Sequence, residues 1–190
     1  MGRPFSLGIV GSLLLFVLAV ASYSSELPEY PMQPASAYAN KVVDSGLIVA
    51  IEVVGDTEQQ KKYFNSNLNS RGILPVLVVI QNTSAENAYL FDKSAVALGN
   101  TIEAIGKGAL KAGALLGSGG LLDVTLLPPG QMRMALTRRE IRSKTLSPGS
   151  TVSGFVYIPI SIDAPRKSVH LQVPLTNAHS SEIEVINLVF

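Results

Sequence analysis

Short aliphatic and β-branched runs, turn residues between them and the near absence of any long helical period predict an all-β chain. The architecture they suggest is an immunoglobulin-like antiparallel β-sandwich with a short helix and a Gly/Ala-rich helical or hairpin insertion. With 190 residues, 47% hydrophobic and 15% charged, the chain is apolar and long enough for one domain with its own core.

The first residues read as targeting. Arg3 precedes the unbroken apolar run FSLGIVGSLLLFVLAVA and the small, polar SYSSE, the layout of a signal peptide over 1–21, with Ala19 and Ala21 offering a cleavage point after Ala21. An uncleaved N-terminal anchor is the rival reading, since Phe5 to Ala21 sits at the short end of a bilayer span. The proline-rich stretch 22–41 is expected to be an extended tether, and 42–190 the sandwich, interrupted by an insertion over 99–127.

Within the domain, LIVAIEVV (47–54) lies between Gly46 and Gly55 and predicts a buried strand. DTEQQKKYFNSNL follows with Asp56 as N-cap, Glu58 early, lysines late, and Tyr63, Phe64 and Leu68 on one side. It predicts a short helix lidding the sandwich edge. Ile73 to Gln81 is nearly continuous in aliphatics and is the strongest strand, with Pro75 near its start where a missing amide is tolerated. Asn82 to Asn87 then turns the chain into Tyr89 to Leu98. LSPGSTVSGFVYIPI predicts a Pro148-Gly149 turn into a strand. SVHLQVPLTN alternates, with Val169, Leu171 and Val173 facing one way, and EIEVINLVF closes the chain as another strand.

Two of these stretches, YFNSNLNSRGILPVLVVIQNTS and LSPGSTVSGFVYIPI, together resemble a group of secreted or membrane-associated bacterial immunoglobulin-like sandwich proteins of unassigned function. The resemblance covers about half the mature chain and implies a fold and an extracytoplasmic, periplasmic or membrane-associated setting. It carries over no catalytic residue.

GKGALKAGALLGSGG (106–120) looks like a phosphate cradle, but the pattern fails. Five residues before Gly106 stands Thr101 rather than glycine, and Gly108 after Lys107 offers no hydroxyl for magnesium. The dinucleotide fingerprint fails at Leu122, where Gly117 and Gly119 would require a third glycine. No nucleotide is expected. Gly99, Gly106, Gly113 and Gly120 instead recur every seven residues, so at helical pitch Gly106, Gly113 and Gly117 form a smooth flank beside Ala109 and Leu116. Such a glycine-rich helix would not persist alone in water. It is expected to lie against the sandwich, against a bilayer or a copy of itself, or to be a loop.

Other chemistry is sparse. There is no cysteine, which excludes disulfides, thiolate nucleophiles and lipid attachment through cysteine. His170 and His179 are separated along the chain, and the acidic residues show no pairing spacing, so no metal, cofactor or catalytic residue is assigned. No Gly-x-Ser-x-Gly elbow occurs. RMALTRREIRSK places Arg133, Arg138, Arg139, Arg142 and Lys144 on a basic surface without interleaved aromatics, so nucleic acid is not expected. Net charge of +1, near zero once Arg3 leaves, agrees. The sequence thus points to an exported, non-enzymatic interaction or structural module of the bacterial envelope, contacting an envelope protein or itself through the Gly-rich insertion. A membrane-associating protein is the alternative reading, and an uncharacterised hydrolase the next.

Overall fold

The structure is a computed structural model that describes residues 27–99, 119–162 and 168–190. Its strands, in chain order, are β1 (Asn40–Asp44), β2 (Leu47–Val53), β3 (Ile73–Asn82), β4 (Tyr89–Phe91), β5 (Ala97–Gly99), β6 (Lys144–Leu146), β7 (Thr151–Pro159), β8 (His170–Asn177) and β9 (Ile183–Val189). Two α-helices accompany them, α1 (Thr57–Phe64) and α2 (Gln131–Arg139). One sheet has the order β1-β2-β3-β7. In the other, β8 pairs with β9 on one edge and with β4 and β5 on the opposite edge, and β6 pairs with β4. All these pairings are antiparallel, so the chain is a β-sandwich.

The two sheets obey different sequence rules because they meet different surroundings. Strand β8 alternates, with Leu171, Val173, Leu175 and Asn177 buried and their neighbours partly exposed, as a strand with one wet face should. Strand β3 is buried at every position except Gln81, because its sheet is covered on both sides. Toward the other sheet, Val76, Val78 and Ile80 meet Tyr89, Leu171 and Leu175 in the main core. On the outer side, Leu77 and Val79 meet Tyr63, Phe64, Phe155 and Tyr157 in a second core. Burying each such side chain contributes about 1.5–3 kcal/mol relative to leaving it in water.

Helix α1 therefore lies on a sheet face, not over the sandwich edge as its sequence suggested. Asp56 caps it as expected, its carboxylate accepting from the Gln59 N–H at 2.8 Å. Asn65, at φ 53°, ends it in the left-handed region. The stretch expected to be a tether also takes part in this outer layer: Tyr30, Ala35 and Tyr38 are buried, and Tyr30 packs edge-on against Tyr63 at 4.8 Å and Phe155 at 5.2 Å. Its aromatic residues find a sheet face to cover, and that outweighs the freedom of a proline-rich chain.

The strand prolines show how the backbone accounts close. Val54 donates to the Pro75 carbonyl at 3.0 Å, so Pro75 stands where its missing N–H would have served the Val54 carbonyl. That carbonyl is taken instead by the Gln60 side-chain amide at 2.6 Å, and the Gln60 oxygen accepts from the Asn69 N–H at 3.0 Å. Gln60 is fully buried on α1 for this reason. Pro174 on β8 lies opposite the break between β4 and β5, where the turn Lys93–Ala95 leaves the sheet. In the β1–β2 hairpin, Ser45 and Gly46 both have positive φ, the type I′ geometry that a two-residue loop prefers.

Removing the stand-in donor should be costly: Gln60→Leu strands the Val54 carbonyl and is expected to lower unfolding free energy by about 1–3 kcal/mol, read as a lower urea midpoint at unchanged slope. The hydroxyls of Tyr30, Tyr89 and Tyr157 all have their pKa raised above the usual phenol value, first by burial and then by Glu52, Glu184 and Glu140 respectively. Since the folded state then holds protons the unfolded state gives up, this stability is whole below pH about 10 and is lost as pH climbs beyond it. Tyrosinate absorbance in an alkaline titration should accordingly lag behind that of free tyrosine and rise together with loss of near-ultraviolet circular dichroism.

Candidate functional site

A concavity is built where the outer layer ends. Helix α2 lays Ala135 and Leu136 against the outer core, and the Tyr157 hydroxyl donates to the Leu136 carbonyl at 2.9 Å, satisfying a terminal helix acceptor. Arg138 and Arg139 occupy its last turn, where the helix dipole favours cations. The chain then extends across the edge of β7. Ile141, fully buried, donates to the Phe155 carbonyl at 3.0 Å, and Glu140 bridges Phe155 in parallel.

This crossing is close. A Cβ on Gly154 would stand 2.5 Å from the Ile141 Cα and 2.6 Å from its nitrogen, so only glycine lets the two backbones approach. The segment is also pinned from the other sheet. Glu140 pairs with Lys93 at 2.5 Å, Lys93 N–H donates to the Ser143 hydroxyl at 2.9 Å, and that hydroxyl donates to Asp92 at 3.1 Å. Asp92 is held below the usual carboxylate range chiefly by hydrogen bonds from Ser94 and Ser143.

Between this crossing and the N-terminal strap lies a groove of about 780 Å³. Leu27 to Tyr30 and Met32 line it from the strap, Val152 to Phe155 from the sheet, and Arg138, Arg139, Glu140 and Arg142 from the crossing. Arg139 fastens the strap, its Nη2 donating to the Pro28 carbonyl at 2.7 Å while the guanidinium sits 5.9 Å from the Phe64 ring. Burial lowers its pKa, and its buried Nε has no partner. Arg142 is exposed and makes no ion pair or hydrogen bond among the described residues. Of the two carboxylates lining the groove, Glu140 is engaged by Lys93 and Glu29 lies in the field of Arg139, so the groove is electropositive.

The basic run is thus divided by the fold. Arg138, Arg139 and Arg142 share the groove, Lys144 reaches the Thr151 carbonyl at 3.3 Å beside it, and Arg133 turns away to the Leu127 carbonyl at 3.3 Å. Gly106, Ala109, Gly113, Leu116 and Gly117, expected as the contact surface, lie outside the described residues. The end of that insertion is described, and Leu121, Leu122, Val124 and Leu127 are buried in the two cores. Leu122 N–H donates to the Tyr157 carbonyl at 2.8 Å. The last residues of the insertion thus belong to the protein interior. Sequence reading missed the strap, although Tyr30 and Tyr38, recurring among prolines, were a signal that the stretch had something to bury.

His170 lies on the outer face of β8 and His179 in the turn after it. Among the described residues, no group of three or more His, Asp or Glu could hold a metal ion, and no helix is long and apolar enough to cross a membrane.

Substituting Gly154 tests the crossing: Gly154→Ala should cost about 1–3 kcal/mol through overpacking, measured as a lower denaturation midpoint than that of a Ser153→Ala control. Comparison with protein families, with curated proteins and with solved structures finds no match to this chain.

Proposed function

We propose that this chain is an exported, non-enzymatic binding module of the bacterial cell envelope, an immunoglobulin-like sandwich that takes an anionic partner in the arginine-lined groove. The observation that carries the proposal is the gathering of Arg138, Arg139 and Arg142 around one partly apolar concavity that also presents Met32 and Phe155. Guanidiniums are suited to carboxylate recognition, and apolar neighbours exclude water from such contacts. The immunoglobulin-like reading is supported by strand order. Strands β2, β3 and β7 neighbour one another as A, B and E do in that fold, and β9, β8 and the interrupted β4/β5 line as G, F and C do. Export is supported by the apolar leader that follows Arg3.

A non-enzymatic role is favoured by the groove's chemistry. Ser153 lines it without any histidine in the lining to act as base, and Glu140 is committed to Lys93. A protein partner is favoured over a membrane because the arginines line a concavity, which an extended peptide can enter and a broad lipid surface cannot.

Fluorescence anisotropy with pools of short acidic and short basic peptides tests the proposal. Acidic peptides should bind more tightly, weaken as salt rises, and lose roughly tenfold in affinity to an Arg142→Glu variant. Equal binding of the two pools, or flotation with anionic vesicles that Arg142→Glu abolishes while peptides do not bind, would overturn it.

A further inference from the structure

The groove contains an open stretch of sheet edge. In an antiparallel strand, alternate residues direct both N–H and C=O to the same side. On β7 the even positions face β3, since Asn82 N–H donates to the Ser150 carbonyl at 2.9 Å and the register continues through Ile80↔Val152 and Val78↔Gly154. The odd positions face away from the sheet. Two of them are served by the chain itself, the Phe155 carbonyl by Ile141 and the Tyr157 carbonyl by Leu122. Pro159, also odd, has no N–H to leave open. Ser153 is different: its outward main-chain groups have no partner among the described residues, and it lies in the groove. Thr151, the next odd residue, has only the Lys144 ammonium at 3.3 Å on its carbonyl.

We infer that this edge receives an extended, acidic segment of a partner protein by strand addition, continuing alongside β7 the line that residues 140 and 141 begin at Phe155. The inference rests on the anionic-partner reading of the groove and adds the mode of binding. Charge and main chain select the same occupant. Arg142 and Lys144 flank the open edge with positive charge, so side chains alternating from an added strand would find cations when acidic. The edge is short because the crossing at Ile141 closes it at Phe155, so affinity comes from a few main-chain bonds combined with the arginines. Its shape is set in advance: Gly154 and the Glu140–Lys93 pair fix the crossing, and Arg139 fixes the strap.

The test uses the full chain and a fluorescent peptide of alternating Glu and Val, together with two versions N-methylated on alternate amides in the two possible phases. The unmodified peptide should bind. One methylated phase should lose roughly tenfold or more in affinity while the other binds as before, because only one set of amides faces β7. Ser153→Pro should produce the same loss, since it removes an outward donor that the sheet itself does not use, and its unfolding midpoint reports whether the fold is kept. Binding that depends on Arg142 but is indifferent to both methylation phases would overturn strand addition and leave the anionic groove standing. No binding of the Glu-Val peptide would overturn the inference, and if the acidic pool also fails, the groove reading falls with it. A dimer in sedimentation that Ser153→Pro disperses would assign the edge to a second copy of this chain and overturn the inference as well.

Discussion

Strand β3 is apolar on both faces, and the rest of the structure is arranged around covering it. One face is met by the second sheet, as in any sandwich. The other would expose Leu77 and Val79 together with Phe155 on the neighbouring strand, a patch that water does not tolerate on a monomeric surface. The chain answers with a third layer assembled from unrelated pieces: the strap around Tyr30, helix α1, the turn at Val124 and helix α2. No single piece is long enough to persist alone. Each is held because it shares an aromatic cluster in which Phe64 meets Phe155 at 5.0 Å, edge to face.

Covering a sheet with separate pieces leaves seams, and the groove is one of them. It opens where the strap meets the end of α2, beside the Tyr30–Phe155 contact. The polar groups around it follow from the same constraint. Arg139 is partly buried because it spans the seam to the Pro28 carbonyl, and Gln60 is buried because a proline in β3 left a carbonyl for α1 to satisfy. In both places a side chain completes hydrogen bonding that a continuous element would have supplied from its backbone. The crossing at Ile141 has a related origin. Strand β6 pairs with β4 in one sheet while β7 belongs to the other, so the chain must pass along the edge of β7 before it can join β6. Gly154 is the position that makes the passage possible.

The longer strands were legible in the sequence because they depend on local pattern. The aliphatic run of β3, the alternation of β8 and the Asp56 cap of α1 all appear where their residues put them. The Pro148-Gly149 turn is equally local: Gly149 takes φ 75° and Ser150 N–H returns to the Ser147 carbonyl at 3.0 Å. The basic run was visible as charge, but its division was not. Arg133 and Arg142 stand nine positions apart in one sequence stretch, and a helix end followed by an extended crossing sends one to a loop carbonyl and the other to the groove. The strap was misjudged because proline content reports on local stiffness, whereas Tyr30 and Tyr38 respond to a sheet face that is distant in sequence.

What the amino-acid sequence determined by itself, then, was where the longer strands β2, β3, β7, β8 and β9 fall and where the Pro148-Gly149 turn lies. Those outcomes depend on side-chain period and on backbone sterics within a few residues. Only the tertiary structure decided what covers the outer face, which arginines share a groove, and which main-chain groups of β7 are left open. Each of these depends on residues brought together from far apart along the chain, such as Pro28 with Arg139 or Ile141 with Phe155, and no local pattern encodes such a meeting.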